Sequence, residues 1–144
     1  MATVELRFSA LPEHVRTARL VAAAVARRAG VDEAVLDEVR LAVGEACSRA
    51  VGLHQSHEIT SPVKVALIEE EKQFSIEVGD EAPHASAGGD TPGAAQESDV
   101  DAEEDEMGLA VISGLVDDVE VTTGRNGGLI RMTWPATPPA TAAL

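Results

Sequence analysis

Two charged side chains lie four residues apart in a segment that is predicted to be helical. Glu45 and Arg49 belong to the run DEVRLAVGEACSRAV at 37–51, in which apolar residues recur at spacings of three and four. A carboxylate on such a helix can act as a general base. It can also pair with an arginine at i+4, which stabilises a helix by about 0.2–0.5 kcal/mol. Of these two interpretations we favour the ion pair.

The histidines and the single cysteine do not form a predicted metal centre. His54 and His57 are three residues apart in a predicted loop and have no convincing third ligand, so we expect them, with His14 and His84, on the surface. One cysteine, Cys47, excludes an internal disulfide and a cysteine-built zinc site. Because no neighbour would activate its thiol, we expect Cys47 to be an inert packing residue.

The net charge of −14 over 144 residues comes mainly from one segment. Residues 80–106 contain ten Asp and Glu and no Lys or Arg, which leaves −4 for the rest of the chain. Residues 81–106 lack periodicity, so we expect an acidic, flexible, lid-like loop. The acidity argues against nucleic-acid binding. No apolar run approaches the ~20 residues of a membrane span, and the first residues lack the pattern of a signal peptide, so we expect a cytoplasmic protein.

The periodicity changes along the chain in an order that predicts one domain over 1–134. A strand is predicted at 3–8, a helix from Pro12 to Gly30, and a second helix from an Asp32 cap to Gly52. Two antiparallel hairpins follow, with the loop and a short helix at 107–116 between them. This order predicts an α+β, two-layer sandwich: a mostly antiparallel sheet with helices on one face. Residues 135–144 are expected to form a disordered tail.

The order of elements, with the segments 37–51 and MGLAVISGLVDDVEV at 107–121, resembles the anti-sigma regulatory factors of the serine/threonine-kinase type. These proteins have the histidine-kinase-like, or Bergerat (GHKL), ATPase fold, and the resemblance covers roughly 3–134. It implies that Glu45 stands at the position of the catalytic Glu and Asp80 at that of the Asp that binds adenine. It also places Gly108 and Leu109 at the helix after the ATP lid.

Four residues depart from the pattern of that family. Arg49 stands where the family has an Asn that binds Mg²⁺, and a guanidinium has no lone pair for a metal. Ala82 and His84 replace both glycines of the Asp-x-Gly-x-Gly pattern, where glycine admits the nucleotide to the backbone. Glu106 replaces a lid glycine and puts a carboxylate where phosphates are expected. We therefore expect no metal, and ATP with Mg²⁺ only if the degenerate site still functions.

Simpler interpretations of the same residues stay open. Asp80 can be a polar residue that closes a strand before a loop. Gly108 can be a glycine at the start of a helix, although a helix N-terminus also suits phosphate. Arg49 can fill the space of the metal and neutralise Glu45 or Asp80.

The resemblance implies a protein that acts in partner switching by binding a sigma factor and/or a STAS-type anti-anti-sigma factor. With Glu45 vestigial, we expect no competent ATP hydrolysis or transfer. The alternative is an active Mg-ATP-dependent serine/threonine protein kinase that phosphorylates a STAS-type antagonist. A homodimer, or a heterodimer with a kinase paralogue, is also considered. Candidates for such a partner surface are the arginines of the first helix, Arg16, Arg19, Arg27 and Arg28.

Overall fold

The computed structural model describes residues 2–83 and 109–137. The elements are β1 (Ala2–Phe8), α1 (Pro12–Ala29), a 3-10 turn (Glu33–Val35), α2 (Leu36–Ser56), β2 (Val63–Glu69), β3 (Gln73–Asp80), α3 (109–115), β4 (Asp118–Gly124) and β5 (Gly127–Pro135). In these two ranges, no helix combines the length and the apolar character that crossing a membrane requires.

The strands of the described ranges form one antiparallel sheet in the order β1-β2-β3-β5-β4. Both predicted hairpins are present, as β2–β3 and β4–β5. The strand next to β3 is β5 rather than β4, so the second hairpin joins the sheet through its second strand. The antiparallel α+β architecture predicted from the sequence is confirmed.

The core lies between one face of the sheet and the helices. Val65 and Leu67 of β2 lie opposite Val78 and Ile76 of β3, and all four are buried in a single cluster with apolar residues of α1, α2 and α3. This alternation is what a sheet with one covered face requires. The other face, opposite the helices, carries polar and charged side chains, such as Arg131, whose guanidinium contacts Glu77 at 2.9 Å.

The first helix begins and ends as predicted, whereas the second is longer. Gly30 caps α1 in a left-handed conformation with φ of 99°. Asp32 caps the 3-10 turn, where its carboxylate accepts from the N–H of Ala34 at 3.0 Å. The prediction that Gly52 ends the second helix is wrong, because α2 continues to Ser56. Packing against the core outweighs the cost of about 1 kcal/mol for a glycine inside a helix.

The predicted tail begins too early in the chain. β5 extends through Pro135, Ala136 is buried, and the N–H of Thr137 donates to the carbonyl of Gly30 at 3.0 Å. Residues 135–137 therefore belong to the domain and not to a disordered tail. The rest of the predicted tail, 138–144, lies outside the described residues, and so does 84–106 of the predicted loop.

Candidate nucleotide site at the end of β3

Arg49 and Asp80, two residues of the predicted site, lie together in the structure. Nη1 of Arg49 is 3.8 Å from Oδ2 of Asp80, with 5% and 2% of the two side chains exposed. Oδ1 of Asp80 accepts a hydrogen bond from the N–H of Ala82 at 2.9 Å. Burial weakens screening by water, so removing one charge of such a pair is costly. The carboxylate of Asp80 is thus engaged by groups of the protein at both oxygens.

Glu45 lies one helical turn before Arg49 but does not pair with it. Among the described residues Glu45 makes no ion pair, and its side chain is partly buried. The favoured i,i+4 pair between Glu45 and Arg49 is therefore not formed. The reason is the direction of the Arg49 side chain, which reaches toward the sheet, where the carboxylate of Asp80 lies.

The residues around Asp80 do not fit a magnesium ion. Mg²⁺ requires oxygen ligands, whereas Arg49 brings a positive charge and only N–H donors. In 2–83 and 109–137, no three His, Cys, Asp or Glu side chains lie close enough together to hold a metal ion. An adenine amino group that approached Asp80 would compete with the N–H of Ala82 and with the guanidinium of Arg49.

His54 holds the same region together from within the core. It is fully buried. Its Nδ1 lies 3.0 Å from the carbonyl oxygen of Ser61, and its Nε2 accepts from the N–H of Glu81 at 2.9 Å. Because Nε2 accepts, Nδ1 carries the proton and donates to Ser61. His54 thereby joins the segment after α2 to the residue that follows Asp80.

The prediction that His54 is a surface residue is wrong, and the error follows from the helix boundary. A second helix that ended at Gly52 would leave position 54 in a loop. The spacing contained a usable signal, because Ala46, Ala50 and residue 54 are four apart and lie on one face of α2. His57 is exposed, as predicted.

A glycine of β5 lets the second hairpin close on Asp80. Gly127 has φ of 146°, and a Cβ there would lie 2.2 Å from the carbonyl oxygen of Asp80. Since Asp80 pairs with Gly128 in the sheet, β5 supports the end of β3 directly. The glycine that this region requires thus lies in a neighbouring strand, while Ala82, which the resemblance was expected to place at a glycine position, is completely buried.

The structure describes some of the remaining residues that the sequence analysis singled out, but not all of them. Leu109 starts the described part of α3 and packs against the core, partly buried. His84, Glu106 and Gly108 lie outside the described residues, so their roles stay predictions. Cys47 is buried, and burial raises the pKa of its thiol to about 12, which agrees with an inert packing residue.

The arginines of α1 divide into two groups. Near the end of the helix, Arg27 contacts Glu33 at 3.3 Å and Arg28 contacts Glu69 at 2.8 Å, on the surface. Arg19 instead lies over α2, where a Cβ on Gly44 would come within 2.9 Å of its Cδ. Its Nε is buried and has no hydrogen-bond acceptor in the described part of the chain.

Comparisons with known proteins agree with this architecture. Residues 8–134 match the family model described as the histidine kinase-like ATPase domain. Among solved structures, the chain resembles that of the RsbU and RsbW domains of Rv1364c from Mycobacterium tuberculosis, with a TM-score of 0.68 and 16% sequence identity. The match covers 96% of this chain and 33% of that chain, so this chain spans about a third of that protein's length. No curated protein matches the chain.

Proposed function

The chain belongs to the family of histidine kinase-like ATPase domains, and on that premise we propose that it is a regulatory binding protein without competent ATP hydrolysis or transfer. The observation that carries this proposal is the buried contact between Arg49 and Asp80. It occupies the position at which the resemblance to anti-sigma kinases places adenine and Mg²⁺. Glu45 is then a vestige of the catalytic residue.

The free-energy cost of breaking the contact between Arg49 and Asp80 supports the proposed loss of nucleotide binding. Separating one partner from a buried ion pair costs about 3–5 kcal/mol. A loss of about 4 kcal/mol converts a micromolar complex into a millimolar one. A nucleotide that had to displace Arg49 from Asp80 would therefore bind too weakly to act as a cofactor, before the poor fit of Mg²⁺ is considered.

The proposed activity is partner switching, in which the protein binds a sigma factor and/or a STAS-type anti-anti-sigma factor. The support is the sequence resemblance and the fold shared with the structure of the RsbU and RsbW domains. Without phosphorylation, the choice between two partners depends on their competing affinities and concentrations.

A second candidate is an active Mg-ATP-dependent serine/threonine kinase. It is favoured by Glu45, whose carboxylate makes no ion pair in the described residues. This candidate requires Arg49 to move away from Asp80 when nucleotide binds. A third candidate function is that of a subunit that modulates a kinase paralogue. This candidate requires that the two chains form a heterodimer.

Calorimetric titration with ATP separates the candidates. The full chain is titrated with ATP in the presence and absence of Mg²⁺, beside Arg49→Asn and the matched control Arg40→Asn, which breaks a surface pair with Asp37. We expect no binding below millimolar nucleotide for the wild type and the control, and tighter binding for Arg49→Asn. Micromolar binding by the wild type, with transfer of phosphate to a STAS protein, would overturn the proposal.

The binding role is tested with purified sigma factors and STAS proteins from the same genome. We expect at least one of them to form a complex with the wild type in the absence of ATP. Failure of every candidate to bind a folded chain would contradict the partner-switching role.

A further inference from the structure

The turn of the second hairpin contains the only asparagine of this chain. Arg125 and Asn126 form the turn between β4 and β5, and Gly127 follows as the first residue of β5. Asn126 is exposed, and its side chain makes no hydrogen bond within the described residues. Its amide can therefore turn toward the main chain of the next residue.

The residue after Asn126 makes this amide reactive. The main-chain nitrogen of residue 127 can attack Cγ of Asn126 and expel ammonia, which closes a succinimide ring. A side chain at position 127 would hinder the attack, and glycine has none. Water then opens the ring. Cleavage of the bond between the nitrogen and Cγ leaves aspartate, whereas cleavage of the bond between the nitrogen and the main-chain carbonyl carbon leaves isoaspartate.

The conformation of the turn does not require an asparagine. Two-residue hairpin turns often use asparagine because it tolerates a positive φ. In this hairpin the positive φ belongs to Gly127, and neither Arg125 nor Asn126 has one. Residue 126 can therefore be exchanged without strain in the turn, which provides clean control variants.

The position of Gly127 is important for the end of β3. A Cβ on Gly127 would lie 2.2 Å from the carbonyl oxygen of Asp80. Asp80 also pairs with Gly128, and Gly127 pairs with Gly124 across the hairpin. The main chain at residue 127 is thus held between β4 and the end of β3, with no room to shift toward Asp80.

We propose that Asn126 is a site of spontaneous deamidation, at which the nitrogen of Gly127 converts the asparagine into aspartate and isoaspartate, and that isoaspartate loosens the end of β3. The overall reaction consumes one water and releases one ammonia, which carries away the proton of the Gly127 amide. No group is oxidised or reduced, and no cofactor is needed. Solvent supplies the water, because residue 126 is exposed.

The two products differ in their effect on the domain. Aspartate adds a negative charge to an exposed turn and leaves the path of the main chain unchanged, so the fold is kept. Isoaspartate routes the main chain through Cβ and Cγ of residue 126, which inserts one carbon atom before Gly127. The pairing of Gly127 with Gly124 then shifts, and Gly127 loses its fitted position against the carbonyl of Asp80.

Mass spectrometry of the aged protein tests the reaction. The folded full chain is incubated at neutral and at mildly alkaline pH, beside Asn126→Gln and beside the wild type unfolded in urea. We expect the peptide that carries residue 126 to gain the mass of one deamidation, faster at the higher pH because the attacking nitrogen must lose its proton. Asn126→Gln stays unmodified at this position, since its longer side chain closes a ring less readily. A folded chain that stays unmodified while the unfolded chain reacts would overturn the proposal.

Separation of the products tests the effect on β3. Chromatography of the aged protein separates the isoaspartate form, which an isoaspartyl methyltransferase identifies by methyl transfer, and Asn126→Asp provides the aspartate form directly. We expect Asn126→Asp to keep the Tm of the wild type. The isoaspartate form should have a lower Tm and faster amide hydrogen exchange at residues 79–82. Equal Tm and equal exchange in all forms would overturn the link to Asp80. Both tests are independent of nucleotide and partner binding, and so of the proposed function.

Discussion

Nη1 of Arg49 lies 3.8 Å from Oδ2 of Asp80, although the two residues are far apart in the chain and on different layers of the fold. The contact joins the middle of α2 to the last residue of β3. At the two positions where the resemblance to anti-sigma kinases implies a metal-binding amide and an adenine-binding acid, this chain has a basic and an acidic side chain that contact each other.

The coupling between these two charges can be measured by a double-mutant cycle. Arg49→Met is expected to lower the free energy of unfolding by about 3–5 kcal/mol, because the buried carboxylate loses the guanidinium. Arg49→Met combined with Asp80→Asn is expected to cost less than the sum of the single changes. Urea unfolding measures all three variants. The surface pair Arg40 with Asp37 is the control, with a coupling under about 1 kcal/mol, and strict additivity at the buried pair would contradict the coupling.

His54 is expected to be a stability determinant of the same region. His54→Ala removes the hydrogen bonds to the carbonyl of Ser61 and to the N–H of Glu81, which are only partly buried, so we expect a loss of at most about 1–3 kcal/mol for each group. His57→Ala, on the exposed end of the same helix, is expected to stay within about 0.5 kcal/mol of the wild type. Chemical denaturation compares the two variants. Nitrogen-15 NMR of the wild type should show the Nδ1–H tautomer, and an Nε2–H tautomer would refute the assigned contacts.

Gly127 is expected to tolerate no side chain. In Gly127→Ala, the Cβ would lie 2.2 Å from the carbonyl oxygen of Asp80, at a φ that L residues rarely adopt, so β5 must move away from β3. Gly124→Ala, in the same hairpin, meets nothing closer than 3.9 Å and is the matched control. Thermal unfolding should show a large loss for the first variant and a small one for the second. Equal losses would show that the close approach to Asp80 is unimportant.

The buried thiol of Cys47 predicts a loss of stability in alkali. Burial raises its pKa from 9.0 to about 12, so above pH 9 the unfolded chain releases this proton while the folded protein retains it. The contribution of the protonated Cys47 thiol to the free energy of unfolding is therefore complete below pH 9. It decreases by about 1 kcal/mol per pH unit as the pH rises toward 12. Urea unfolding of the wild type and of Cys47→Ala at pH 8, 9 and 10 measures the difference. Parallel pH profiles would show that Cys47 ionises equally in both states.

Local patterns were sufficient to predict most elements of this fold. Period-two alternation identified both hairpins, and the spacing of apolar residues identified α1 and most of α2. These signals succeed because each depends on neighbours within one or two turns. The boundary at Gly52 was predicted wrongly because a long-range term, packing of the end of α2 on the core, outweighs the local preference of glycine.

The sequence was sufficient to predict the fold class and two helices against an antiparallel sheet, and its resemblance to anti-sigma kinases implies that Arg49 stands in place of a metal-binding amide. Three relationships became apparent only in the folded chain: β5 lies beside β3, Arg49 contacts Asp80 rather than Glu45, and His54 is buried between Ser61 and Glu81. Each of these contacts joins segments that are distant in the chain. No spacing rule encodes them, because they depend on how the helices and strands pack once each has formed.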